Sequence, residues 1–281
     1  MMHSNVLVVG ANGKTGRRVE ARLSAAGVTT RGVSRSTLPA FNWAQSETWA
    51  TALKGMDAAY LTYHPDLSVP EAADQIHLFC DLAKAAGLKQ VVLLSGRNEP
   101  GAQRAEQALK ESGLTWNVIQ ASWFAQNFSE DFMVHDVLSG RFVIPAGTSG
   151  EPFIDADDIA DVAVAALMEP GLGNRLFEVT GPRVMSFEDC TREIGAAAGF
   201  AIDLVELPLD EYLEVLRERD LPDYLVELLQ ELFGQLFDGR SASTAQGVRE
   251  ALGRPATDFS EYARKAAAAG AWNRAVTRRT A

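Results

Sequence analysis

The residues best suited to chemistry fall in three short stretches. Gly10, Gly13 and Gly16 recur at every third position in Gly-Ala-Asn-Gly-Lys-Thr-Gly, directly after the apolar residues 6–9. A glycine at the first of these positions can take a backbone conformation closed to other residues. The second lets a diphosphate approach the main chain, and the third lets a helix lie close on a strand. Amides at the start of that helix would then face the phosphates, so Gly10, Asn12, Gly13, Lys14, Thr15 and Gly16 are read as a diphosphate-binding set. The second stretch, Ser34-Arg35-Ser36, lies about 20 residues further on, where a carboxylate would accept from a ribose 2′-hydroxyl and an arginine would accommodate a 2′-phosphate. No carboxylate stands there. Arg35 beside Ser34, with Lys14 as a second cation, favours NADP and leaves NAD open. Ordinary solvated charges are the alternative for both cations.

The third set comes from the ends of later apolar runs. Residues 57–62 read as a strand running into Tyr63-His64-Pro65, and residues 90–94 as another that delivers Ser95-Gly96-Arg97. Carboxyl ends of strands are where open α/β sheets bind ligands. Thr62, Tyr63 and Ser95 are therefore expected near the cofactor, and His64, Ser95 and Arg97 are the catalytic candidates. For His64 and Arg97 a surface position is the competing reading. Tyr63, Trp123, Phe124, Asn127 and Phe128 are candidates for the substrate. The aromatics could stack on a flat molecule, although rings at such spacing also build cores, and Gln126 and Asn127 could instead satisfy a loop backbone.

The elements that must position these residues alternate in period. Strands are expected over 6–9, 28–34, 57–62, 90–94, 116–121 and 176–180, with a short one at Phe41-Asn42-Trp43 from which Trp43 could flank an adenine. Helices are expected after Gly16 and over 47–54, 70–86, 103–111 and 155–168. This alternation predicts an α/β Rossmann fold, a doubly wound parallel sheet. Shorter helical patterns then dominate, over 186–197, 209–217, 223–237 and 259–269. The expected division is a dinucleotide-binding domain over 1–150, with returning segments near 152–182. A smaller, mostly helical part over 183–281 is expected to act as a lid and leave a substrate cleft.

The 281 residues carry a formal charge of −11, which opposes nucleic acid as a partner. No apolar run reaches the ~18 residues of a spanning helix, and the first strand begins too early for a signal peptide, so no membrane association and a cytoplasmic location are expected. Cys80, Cys190 and the four histidines show no metal spacing. Buried, reduced thiols and no metal are the expectation.

Several of these segments together resemble a known family, the NmrA-like branch of the atypical short-chain dehydrogenase/reductases. They are residues 10–16, 41–43, 55–61, 91–95, 112–116 and 122–127. Within the branch the chain looks most similar to the ergot-alkaloid reductases and bacterial quinone reductases. The resemblance implies a Rossmann domain, NADP or NAD, and hydride transfer to a conjugated small molecule. It also brings in anthraquinone reduction in aromatic polyketide pathways, with a small oxygenase as partner. Dinucleotide sensing without turnover is the alternative, and a homodimer stays open.

The departures bear on the chemistry. Ordinary short-chain dehydrogenases complete carbonyl reduction with a tyrosine and a lysine four residues later. None of Tyr60, Tyr63, Tyr212, Tyr224 or Tyr262 has that lysine, and Ala121-Ser122 replaces the usual arginine-proline. Hydride delivery to a plain ketone leaves an alkoxide, whose conjugate acid is about as weak as water, pKa roughly 16. Delivery to a quinone leaves a phenolate with a conjugate acid near ~10. The difference corresponds to roughly 8 kcal/mol of anion stabilisation that the acceptor supplies itself. A chain without the tyrosine and lysine is therefore expected to reduce quinone-like or other conjugated aromatic acceptors.

Overall fold

The computed structural model describes residues 3–145, 150–219, 221–236 and 241–274. Met1, Met2 and Phe237, the expected end of the 223–237 helix, lie outside the described residues. The strands formed among them are, in chain order, β1 (Asn5–Val9), β2 (Thr29–Val33), β3 (Ala58–Leu61), β4 (Gln90–Gly96), β5 (Thr115–Ala121), β6 (Arg141–Ile144), β7 (Arg175–Val179) and β8 (Asp203–Glu206).

Contacts divide the chain into two compact units. The first comprises Met1–Ser122, Ala156–Thr180 and Ala245–Ala256. Its sheet is parallel throughout, in the order β2-β1-β3-β4-β5-β7. Val6, Leu7 and Val8, like Val91, Val92 and Leu93, have no exposed surface, as expected of strands covered on both faces. Helices Gly16–Ala25, Ala72–Ala85, Pro100–Lys110 and Ala156–Met168 supply the crossovers. Successive strands step outward in one direction from β1 to β2 and in the other from β3 onward. The topological switch point therefore lies between β1 and β3, where a crevice at the strands' carboxyl ends suits a ligand.

The first unit also takes in the returning segment Ala156–Thr180 and, further on, Ala245–Ala256. β7 pairs with β5 along five residues. The helix Gly247–Leu252 packs so closely that a Cβ at Gly247 would lie 2.3 Å from the Glu178 carbonyl oxygen. Arg22 holds the helix Ala156–Met168 to the helix Gly16–Ala25 through Asp157 at 2.7 Å and Asp161 at 2.6 Å, and Arg254 reaches Asp158 and Asp161.

The strand expected at Phe41-Asn42-Trp43 does not form. Its backbone is committed to a local turn, with Asn42 in an isolated bridge to Gln45, the Ala44 amide donating to Asn42 Oδ1 and the Asn42 amide to Thr48 Oγ1. Phe41 and Trp43 alternate with a polar residue as in a strand, but both turn inward against Trp49 and Phe79. β2 therefore remains the edge of the sheet. The helix expected over 47–54 is split into a 3-10 turn, Ser46–Thr48, and the helix Trp49–Leu53.

The second unit comprises Trp123–Asp155, Gly181–Thr244 and Thr257–Ala281. It contains a feature with little sequence signal, a two-stranded parallel sheet of β6 and β8. Its core is aromatic. Phe128 has no exposed surface and lies 5.5 Å from Phe142, 5.4 Å from Phe153 and 5.6 Å from Phe259, ring centre to ring centre. With its faces and edges covered by neighbours, Phe128 is a core residue and has no face left for the substrate stacking expected from the sequence. The helix Phe187–Ala198 opens with a capping box in which the Ser186 hydroxyl accepts from the Asp189 amide and the Asp189 carboxylate accepts from the Ser186 amide. Each such cap stabilises a helix by about 1 kcal/mol.

Truncation tests the core assignment. Phe128→Ala is expected to lower the unfolding free energy by about 3–5 kcal/mol, read by urea denaturation. A loss within ~0.5 kcal/mol would be that of a surface residue.

Candidate dinucleotide-binding site

The turn after β1 is shaped by two approaches too close for a side chain. Gly10 has a φ of +81°, and a Cβ there would fall 1.9 Å from Thr62 Oγ1. A Cβ at Gly16 would fall 2.1 Å from the Gly10 carbonyl oxygen, so the following helix begins directly against the turn. Between them, the Gly13 amide donates to the Gly10 carbonyl at 2.8 Å. Thr15 precedes the helix Gly16–Ala25 with no side-chain cap, and no acidic residue stands in the first turn. The positive end of this ten-residue helix is therefore left to an anion.

A cavity of about 490 Å³ opens at the switch point, within the ~300–1,000 Å³ usual for small-molecule pockets. It brings together, from the predicted set, Gly10, Asn12 and Gly13 after β1, Ser34 and Arg35 after β2, and Thr62, Tyr63 and His64 after β3, with Trp43 beside them. One end is polar. Asn12 Nδ2 donates to Ser34 Oγ at 2.9 Å and to Ser36 Oγ at 3.1 Å, and Arg35 Nη2 lies 3.5 Å from His64 Nε2. The wall is aromatic. Trp43 and Tyr63 lie 4.9 Å apart, Trp43 Nε1 donates to the Thr62 carbonyl at 3.0 Å, and the Tyr63 hydroxyl donates to Gln75 Oε1 at 2.7 Å. Glycine backbone, a cation at the end of β2 and flat rings between them suit one nucleotide half of a dinucleotide. Lys14, Thr15 and Gly16 form the turn but do not line this cavity.

No family model matches the chain. It is 30% identical to an NAD(P)H azoreductase of Xenophilus azovorans over 293 residues, covering 94% of this chain and 98% of that one. The chain belongs to the NmrA-like atypical short-chain dehydrogenase/reductases. The fold agrees with solved structures of lower identity. A triphenylmethane reductase of Citrobacter sp., complexed with NADP(H), superimposes with a TM-score of 0.76 at 16% identity over 93% of this chain and 99% of that one. An NADPH-dependent quinone oxidoreductase of Escherichia coli does so with 0.74 at 19% identity over 92% and 99%.

An ordinary short-chain dehydrogenase uses a tyrosine whose proton a nearby lysine makes easier to release. In this NmrA-like chain the resolved shifts run the other way. Burial pushes Tyr60, Tyr212 and Tyr262 well above the usual phenol range, and burial with the Glu71 charge pushes Tyr63 up to about 12. Ser95 is buried and donates to Glu106 Oε1 at 2.7 Å. Gln120 also donates to both oxygens of this carboxylate. Arg97 is not a surface cation. Its side chain is 6% exposed and its Nε donates to the Glu178 carboxylate. Ser95 and Arg97 thus lie at the carboxyl end of β4, outside the cavity lining, in a polar layer that sequence reasoning had no means to pair.

In the second unit, Trp123 and Phe124 are half-buried. Trp123 packs on Phe233 at 5.3 Å and on Phe187 at 6.3 Å. Gln126 is buried and donates to Asp155 Oδ1 at 2.7 Å, and Asn127 starts the short helix Asn127–Glu130. Among the described residues no group of three histidine, cysteine or acidic side chains could hold a metal, and no helix is long and apolar enough to cross a membrane. Cys80 and Cys190 are buried. Burial pushes the Cys80 thiol up to about 12 and the Cys190 thiol well above its ordinary value, which makes poor nucleophiles of both.

Removing the cation at the end of β2 tests the cofactor preference. Arg35→Ala is expected to weaken NADPH by about ten- to hundredfold, the size of one lost charge-assisted hydrogen bond, with NADH little changed. Titration of intrinsic fluorescence with each cofactor reads this, and equal losses would remove Arg35 from the 2′-phosphate.

Proposed function

We propose that this protein is an NAD(P)H-dependent reductase of flat, conjugated acceptors, quinone-like or azo compounds, with NADPH the preferred donor. The observation that carries the reading is the cavity at the switch point, lined by Gly10 and Gly13 of the turn and by Arg35. Membership of a family whose relatives are named an azoreductase, a quinone oxidoreductase and a triphenylmethane reductase supports the reaction class. The named acceptors share conjugation that spreads an arriving electron pair. The tailoring of aromatic polyketides, with the reduced product passed to an oxygenase, is a finer placement that rests on the sequence resemblance alone.

When bound, the reduced dinucleotide supplies a hydride. The chain's own part is to hold and orient. The turn Gly10–Gly16 and the uncapped helix start accept the diphosphate, Arg35 with Ser34 and Asn12 takes the ribose phosphate, and Trp43 with Tyr63 walls the adenine. Its part does not include a strong acid, since the buried tyrosines keep their protons more firmly than free phenol does. The acceptor must then carry its own negative charge until water protonates it. Ser95 and Arg97, committed to Glu106 and Glu178 at the carboxyl end of β4, hold that strand end in place, and the catalytic role expected of them from the sequence is not part of this proposal.

The test is loss of NADPH absorbance in the near ultraviolet with a panel of naphthoquinone, anthraquinone, an azo dye and a saturated ketone. Turnover is expected with the conjugated acceptors and not with the ketone. Bound NADPH whose absorbance persists with every acceptor would make the chain a dinucleotide sensor. Efficient ketone reduction would require a proton donor that this reading denies.

A further inference from the structure

We propose that His64 is a second ligand of the ribose 2′-phosphate, paired with Arg35, so that binding NADPH, unlike binding NADH, takes up a proton. The inference rests on the NADP reading above and adds to it a residue and a coupling to pH. β2 and β3 pair with opposite sides of β1, so Arg35 and His64, just past their carboxyl ends, approach the glycine turn from its two flanks. They nonetheless meet, with Nη2 and Nε2 3.5 Å apart, and both line the same cavity.

A guanidinium only donates hydrogen bonds. In this contact Nε2 therefore accepts, and the ring is neutral. Burial and the Arg35 charge hold the His64 pKa below its ordinary value. A phosphate dianion seated between the two side chains reverses the local field. The ring then gains an anionic acceptor and protonates, replacing a cation–dipole contact with a phosphate bridged by two cations. The other charged or titratable side chains that line the cavity with Arg35 and His64 are Glu71 and Tyr63. Histidine is the one residue type among them whose ordinary titration falls between about pH 5 and 8. The catalytic role read for His64 from the sequence gives way, in this proposal, to one at the ribose.

The experiment is calorimetric titration of the full chain with NADPH and with NADH at about pH 7.5, where a phosphate monoester with a second pKa near ~6 is already dianionic. Two buffers of different ionisation enthalpy report protons exchanged. Uptake approaching one proton is expected for NADPH and none for NADH. His64→Gln should abolish the uptake and weaken NADPH about three- to tenfold, with NADH affinity unchanged. His64→Lys should retain tight NADPH binding without uptake. Undiminished uptake in His64→Gln, or equal affinity of His64→Gln and wild type for NADPH, would overturn the proposal. If the wild type binds NADPH no better than NADH and Arg35→Ala changes neither, the NADP reading itself has failed, a result separable from a failure of His64 alone.

Discussion

The contact between Gly16 and the Gly10 carbonyl is the constraint on which the site depends. Any side chain at Gly16 would collide with main chain 2.1 Å away, and main chain cannot rotate aside. Because the helix starts there, the positive end of its dipole arrives at the carboxyl ends of β1 and β3 and not a turn further out. Thr62 seals the other side of Gly10, with its hydroxyl donating to the Val9 carbonyl at 3.1 Å. Strand, turn and helix thus form one rigid edge, and the cavity at the switch point is the space this edge leaves.

Electrostatics around that edge are local. A chain of net charge −11 would repel a dinucleotide phosphate at long range, but screening limits this to about 8–10 Å at ordinary ionic strength. At the glycine turn a phosphate meets a helix start without acidic residues, with Arg35 and, on the cavity wall, Glu71 beside it. Other arginines of the same unit are neutralised in place, Arg22 and Arg254 by aspartates of the helix Ala156–Met168 and Arg97 by Glu178. These pairs hold helices together and tie the end of β4 to β7, leaving Arg35 to define the polar end of the cavity.

Burial explains why the chemistry must lean on the acceptor. A phenol loses its proton more easily only when a cation or hydrogen-bond donors stabilise the phenolate. Three of the five tyrosines are packed where desolvation dominates, and Tyr63 donates to Gln75 while facing the charge of Glu71. Such tyrosines serve as packing, and Tyr63 and Tyr262 also as hydrogen-bond donors to Gln75 and Ser129. An enzyme built this way has its leverage in placing two flat π-systems and in excluding alternatives, not in proton transfer.

Local signals in the sequence determined the parallel sheet, the glycine turn, the cation after β2 and the absence of a tyrosine–lysine pair. Each is written in residues within a few positions of one another: apolar runs of strand length, glycines three apart, a dipeptide at a strand end. The tertiary structure alone decided what depends on distant partners. Phe41 and Trp43 alternate like a strand, yet with Trp49 and Phe79 nearby their burial came from a turn. Phe128 looked like a ring for a ligand until four other rings enclosed it. β6 and β8 are four residues each and pair across some sixty positions, too short to stand out alone. The meeting of Arg35 and His64 is of the same kind: the two are 29 residues apart in sequence, and only the order of strands around β1 brings their ends to one cavity.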